Sequence, residues 1–457
     1  MSARGRTLAF ILVFGVMLMV VPSAFAHARL IGTQPADGAE LRQAPASVSV
    51  VFDDTITPGS RVAAIQNGGG SALAGKAVAT GDGNRTLVIP LRSKLARGDY
   101  SVRWSIVSDD GHPLSGVLAF SVGTGKPPLP AVLSAGSSSP SSLEVVARWL
   151  FFAGLLVGGG GALFRRLIWK PALAATELTT HDRDRLDARS GRATAALLAS
   201  SCYLVTLGAA IAIAATPGSS LTRFGRSMEV GMALAAAAVA FGLVAAAVKS
   251  GRRVLTLVSI AVPCLLVVPS LGGHAFDPRH LRPLTFLVDV LHVGAAAVWV
   301  GGLVQLAVVV PRVAKPLLRD TRTALFADLF RRFSRIAFVS VPVLVLTGVI
   351  RSLFELSAVS QMWTTSYGKT LLVKIGLLLV LLAFGWVNRY RVVPRLTTPA
   401  KSEQTARTAV GRLRVAVGSE VVLLAVVVAA VALLTGLKPA RFATTGTPPT
   451  LTSQVGK

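Results

Sequence analysis

Apolar and polar residues alternate one by one over the first third of the chain and separate into long blocks over the rest. Tyr100, Val102, Trp104 and Ile106 alternate with Ser101, Arg103 and Ser105. Leu118, Phe120 and Val122 alternate in the same way, as do Leu87, Ile89 and Leu91. A period of two marks strands buried on one face. Turn signals separate the runs: Pro35-Ala36-Asp37-Gly38, Asn67-Gly68-Gly69-Gly70 and Gly81-Asp82-Gly83-Asn84. Residues 27–123 are therefore predicted to form an all-β domain, an immunoglobulin-like Greek-key sandwich or barrel.

Eight apolar blocks follow, at about 143–164, 194–215, 229–248, 254–271, 284–310, 336–356, 370–388 and 415–436. Most are long enough to cross a hydrocarbon core of ~30 Å as a helix. The fourth contains Pro263 and Pro269, which a membrane bundle tolerates because neighbouring helices satisfy the freed backbone groups. The expected architecture is an all-α polytopic bundle of eight transmembrane helices over 143–436. Residues 124–142, rich in Pro, Ser and Gly, read as a linker, and 437–457 as a flexible tail. Residues 1–26 read as a signal peptide. Arg4 and Arg6 open it, an apolar core follows, and Ala24-Phe25-Ala26 fits a cleavage site.

Composition agrees with a membrane chain: 52% of residues are hydrophobic and the mean hydropathy is +0.62. The formal charge of +26 would suit nucleic acid, but its placement does not. Residues 27–142 carry ten Lys/Arg against eight Asp/Glu. With the β domain outside, the inward loops hold 24 basic residues, and the outward loops and tail hold nine, Arg351 counted among them. This bias places both mature ends outside the plasma (inner) membrane. Cys202 and Cys264 lie in apolar blocks, so no disulfide framework is expected.

Cleavage after Ala26 would leave His27 with a free α-amine, so amine and imidazole can chelate one metal together. A second cluster, Ser108-Asp109-Asp110-Gly111-His112, connects two predicted strands, and Gly111 lets Asp110 and His112 aim at one point. One amine, two imidazoles and a carboxylate form a nitrogen/oxygen set suited to Cu(II). The exported domain has no Met or Cys to offer Cu(I).

The stretches HARLIGTQPADGAEL, VSVVFDD and SDDGHPLSGVLAFSV resemble the CopC family of periplasmic copper-binding proteins. The resemblance implies Cu(II) ligation by the mature N-terminal histidine and a DxH pair, here His27, Asp110 and His112. Some members place a Glu where Asp54 stands nearby, one carbon shorter.

In the membrane part, Asp289, His292, Ala296 and Trp299 share one helix face. His274 follows the fourth block. Ionisable groups inside spans are functional candidates by default, so His274, Asp289 and His292 are expected to form an outward-facing metal cluster. Polar helix–helix contact is the alternative. Met228 and Met232, one turn apart, suit Cu(I) but are more often packing. The stretches DVLHVGAAAVWVGGL, FSRIAFVSVPVLVLTGVIRS and TSYGKTLLVKIGLLLVLLAFGWVNRYR resemble the CopD family of copper-resistance and copper-uptake membrane proteins. The whole therefore looks like a CopC–CopD fusion. The resemblance implies copper movement across the plasma membrane without catalysis, with the copper ion and the bilayer as partners. No P-loop appears. Rival readings are a copper-dependent oxidative enzyme with an N-terminal histidine chelate and a transmembrane haem or electron-transfer protein.

Overall fold

The computed structural model describes residues 28, 30–67, 69–109, 111, 113–129, 131, 140–215, 222–247, 262–272, 282–387, 390, 403–437 and 440. Residues 1–26, expected to be a signal peptide, and the nominated residues His27, Asp110, His112 and His274 lie outside the described residues.

The β domain contains β1 (Leu30–Gln34), β2 (Ala39–Leu41), β3 (Ser47–Phe52), β4 (Ile56–Pro58), β5 (Ala63–Gln66), β6 (Val78–Thr80), β7 (Thr86–Pro90), β8 (Gly98–Ser108) and β9 (Pro113–Val122). One sheet has the order β1-β3-β7-β6; the other has β2-β9-β8-β4, with β5 also on β8. The inward residues of both sheets form one core, from Val48, Val50, Phe52, Leu87 and Ile89 to Tyr100, Val102, Ile106, Leu118 and Phe120. Tyr100 stacks on Phe120 at 5.4 Å and donates its hydroxyl proton to the Ala96 carbonyl at 2.6 Å. Burial pushes this phenol above its usual range.

The period of two locates β8 but misstates its second face. Ser101 and Ser105 are buried as well. The segment 59–67 covers them: Ser101 Oγ donates to Asn67 Oδ1 at 2.9 Å, and the Arg61 amide donates to Ser105 Oγ at 3.0 Å. Serine is small enough to fit below a crossing chain, and its hydroxyl finds partners there. Gly116 pairs with Trp104 across β8 and β9. A Cβ at Gly116 would lie 3.0 Å from the indole Nε1, so only glycine admits the ring, which packs edge-on against Phe52 at 5.4 Å.

The remaining chain is helical: α1 (Ser142–Phe164), α2 (Thr180–Ala215), α3 (Arg223–Ala247), a short α4 (Val262–Leu271), α5 (Arg282–Val304), α6 (Arg319–Glu355), α7 (Ser366–Val387) and α8 (Glu403–Leu434). Ser141 and Glu144 form a capping box at the start of α1. Among the described residues, five helical stretches are long and apolar enough to cross a membrane: Ser142–Ala175, Thr180–Ala215, Pro283–Val313, Thr321–Glu355 and Ser366–Val387. Val262–Leu271 and Gly418–Leu434 are shorter apolar helices. Five such helices make this a multi-pass membrane protein.

Basic segments expected as loops are helix, among them Arg407, Arg412 and Arg414 in α8. Arg183, Arg185, Arg189 and Arg192 lie in α2, and Arg322, Arg331, Arg332 and Arg335 lie in α6. An apolar block marks only the apolar part of a helix. Arginine is a good helix former, and Arg332 pairs with Asp328 one turn back at 2.7 Å. Arg351, counted with an outer loop, is likewise inside α6. Deep in the bundle, Gly160 of α1 and Gly301 of α5 bring two backbones together; a Cβ at Gly301 would lie 2.6 Å from the Gly160 carbonyl carbon.

Candidate metal centres

The β-domain candidate is built at one end of the sheets by register. β1 starts opposite Phe52, with Leu30 and Phe52 paired. β4 starts opposite the end of β8, with Ile56 and Ser108 paired. Residues 53–55 therefore lie between the segment that follows residue 27 and the β8–β9 turn. The amides of Phe52 and Ile56 anchor this stretch by donating to the carbonyls of Arg85 and Asn84 at 2.8 and 2.9 Å. Asp54 Oδ1 accepts the Thr55 amide proton at 2.8 Å, so one of its carboxylate oxygens is already engaged. Ala28, next to the nominated amine position, is buried in the core.

The β8–β9 turn is tight. The Gly111 amide donates to the Ser108 carbonyl at 2.8 Å, and Gly111 has φ +84, a left-handed conformation that glycine adopts without strain. Val107 and Pro113 close the hairpin. The described residues bordering each nominated position, namely Ala28, Asp109, Gly111 and Pro113, thus come from segments that meet at the Asp54 turn.

In the membrane part, the face of α5 that carries Asp289 and His292 meets α6. Asp289 forms an ion pair with Arg351. One turn deeper, His292 Nδ1 lies 2.9 Å from Thr347 Oγ1. Thr347 Oγ1 also lies 2.6 Å from the Val343 carbonyl. With its hydroxyl proton on that carbonyl, Thr347 accepts from His292 Nδ1–H, and in this tautomer the Nε2 lone pair is open. Gly348 makes room for the ring; a Cβ there would lie 3.4 Å from Cε1. Glu355 and Tyr367 act electrostatically on Arg351, and Lys374 of α7 acts on His292.

This geometry refines the expectation for Asp289. Its charge is already balanced by a guanidinium, so a cation reaching this carboxylate competes with Arg351. The polar contact between helices and the candidate metal ligand are the same residues. Thr347 and Arg351 are the partners that sequence reasoning missed. The signal was present as two polar groups four residues apart in an apolar block, matching two polar groups three residues apart in another. Met228 is buried in the bundle core, as packing predicts. Among the described residues, no three His, Cys, Asp or Glu side chains form a metal-holding group.

Comparison with known proteins follows the same division of the chain. The CopC domain family matches residues 30–123, and the copper resistance protein D (CopD) family matches residues 327–434. The copper transport protein CutJ of Bacillus subtilis is 25% identical over 401 residues, 84% of this chain and 71% of its own. Copper resistance protein C of Pseudomonas syringae pv. tomato is 33% identical over 120 residues, 25% of this chain and 94% of its own. The crystal structure of CopC from Methylosinus trichosporium is 25% identical and covers 23% of this chain and 100% of its own, with a TM-score of 0.20.

Proposed function

Because this chain belongs to the CopC–CopD family of copper-resistance proteins, with a CopC domain followed by a CopD region, we propose that it captures Cu(II) outside the cell and moves copper inward across the plasma membrane. The exported ligands are the His27 amine and imidazole, Asp110 and His112, with Asp54 beside them. Amine and imidazole belong to one residue, so the second nitrogen binds without a further loss of freedom. His112 and Asp110 complete a tetragonal set, and the carboxylate offsets part of the metal's charge.

The membrane domain crosses eight times, with the β domain and the C-terminus on the extracytoplasmic side. Copper passes His274 and then the α5–α6 interface. His292 Nε2 takes the metal, Thr347 holds the ring, and Asp289 supplies charge once Arg351 has moved. Glu355, one helical turn from Arg351, is the carboxylate that receives the guanidinium. The chain acts in transport rather than catalysis.

The observation that carries the reading is the convergence of the segments around the nominated exported ligands on the Asp54 turn, within a CopC-matched domain of a membrane-spanning chain. The test is electron paramagnetic resonance of the full chain loaded with Cu(II). His112→Ala is expected to remove one equatorial nitrogen and change the hyperfine pattern. Asp110→Asn is expected to weaken binding, because an amide is a poorer ligand than a carboxylate. Asp54→Asn should cost little. Spectra and affinities equal to the unsubstituted chain would place the site elsewhere.

A further inference from the structure

The β domain touches the membrane bundle at the turn that the proposed function loads with copper. Asp109, the residue after β8, faces Arg226 in the first turn of α3, with Oδ1 and a guanidinium nitrogen 3.9 Å apart. Thr222 fixes that helix start: its Oγ1 accepts the Gly225 amide proton at 3.0 Å, and its carbonyl accepts that of Arg226 at 3.0 Å. Two residues beyond Arg226, Met228 enters the bundle core. The pair thus joins the end of β8 to a helix leading directly into the membrane domain.

We propose that this contact is the docking point for copper handover: Asp109 seats the β8–β9 turn on the outer end of α3, with Arg226 as the positioning residue. The inference rests on the copper reading above. It gives the two consecutive carboxylates of the turn different tasks. Asp110 binds the metal, and Asp109 is left to meet the bundle.

The Arg226 side chain is 60% exposed and the Asp109 side chain 13%; at 3.9 Å, with one partner in solvent, such an ion pair shifts a population by only about two- to fivefold. That weakness suits the task. Residues 124–142 tether the domain at an effective concentration in about the millimolar range, so a weak contact suffices to orient it. A strong contact would hold the domain in place and block the next capture.

Two measurements on the full chain test the inference separately from the copper reading. The first needs no copper. In a Cys264→Ser background, Asp109→Cys with Arg226→Cys is treated with a short bismaleimide. An intramolecular cross-link is expected, whereas Asp99→Cys with Arg226→Cys, at the other end of β8, should give none. Failure of the first pair to link, or equal linking by both, overturns the docking whatever the chain transports. The second is copper uptake by cells at limiting copper. Arg226→Glu should lower uptake about two- to fivefold with Cu(II) affinity unchanged. The charge exchange Arg226→Glu with Asp109→Lys should restore it, and saturating copper should hide the defect. Normal uptake by Arg226→Glu at limiting copper overturns the handover role. Absence of uptake by the unsubstituted chain would instead remove the copper reading and leave the cross-link to judge the contact.

Discussion

One alanine inserted between Ala26 and His27 is expected to lower the Cu(II) affinity of the β domain by orders of magnitude. The insertion keeps every side chain and moves only the terminal amine. In a chain processed after Ala26, that amine and the His27 imidazole close a chelate ring, and the amine's ordinary pKa of about 8 means that copper displaces its proton at neutral pH. With alanine first, the imidazole stays but binds alone. The domain is a sound object for this titration, because it has its own core and matches a relative over 94% of that protein's length. Mass spectrometry identifies the terminus, and competition with a chelator of known affinity reads the loss. Unchanged affinity with the new terminus verified would remove the amine from the site.

His292→Ala is expected to abolish copper uptake while leaving Cu(II) capture intact. The substitution removes the imidazole, including Nε2, the nitrogen that is open when Nδ1–H donates to Thr347. A purely structural role for the same histidine makes a different prediction. Losing one bond between α5 and α6 would lower bundle stability, and uptake per folded molecule would stay normal. Uptake must therefore be normalised to folded protein in the membrane. Asp289→Asn combines both effects. It removes the charge that a cation would meet, and it breaks the Arg351 ion pair that joins α5 to α6. Its defect should be the more severe in folded yield. Wild-type uptake per folded molecule in His292→Ala would make this histidine structural.

These expectations draw unequally on sequence and fold. The strands around Tyr100 and Leu118 were legible because a two-residue period is a local property of backbone geometry. The burial of Ser101 and Ser105 was not, since it depends on the segment 59–67 crossing a distant strand. The apolar blocks located the helices, but α2 and α6 begin well before their blocks, where arginines continue the helix outside the hydrocarbon. Asp289 and His292 stood out as polar groups in an apolar run. Thr347 and Arg351 were visible in the same way, but their pairing with Asp289 and His292 was not, because it exists only once α5 and α6 pack. The meeting of the Asp54 turn with the β8–β9 turn is likewise a matter of strand register between remote segments, beyond the reach of local periodicity.

The central claim is that copper captured outside reaches the interior through this chain, and the copper content of cells at limiting external copper tests it most directly. Cells carrying the gene should contain more copper than cells from which it is deleted. The difference should disappear for the His292→Ala chain present in the membrane at equal folded amount. Equal copper content with and without the gene, with the protein folded in the membrane, would contradict the account.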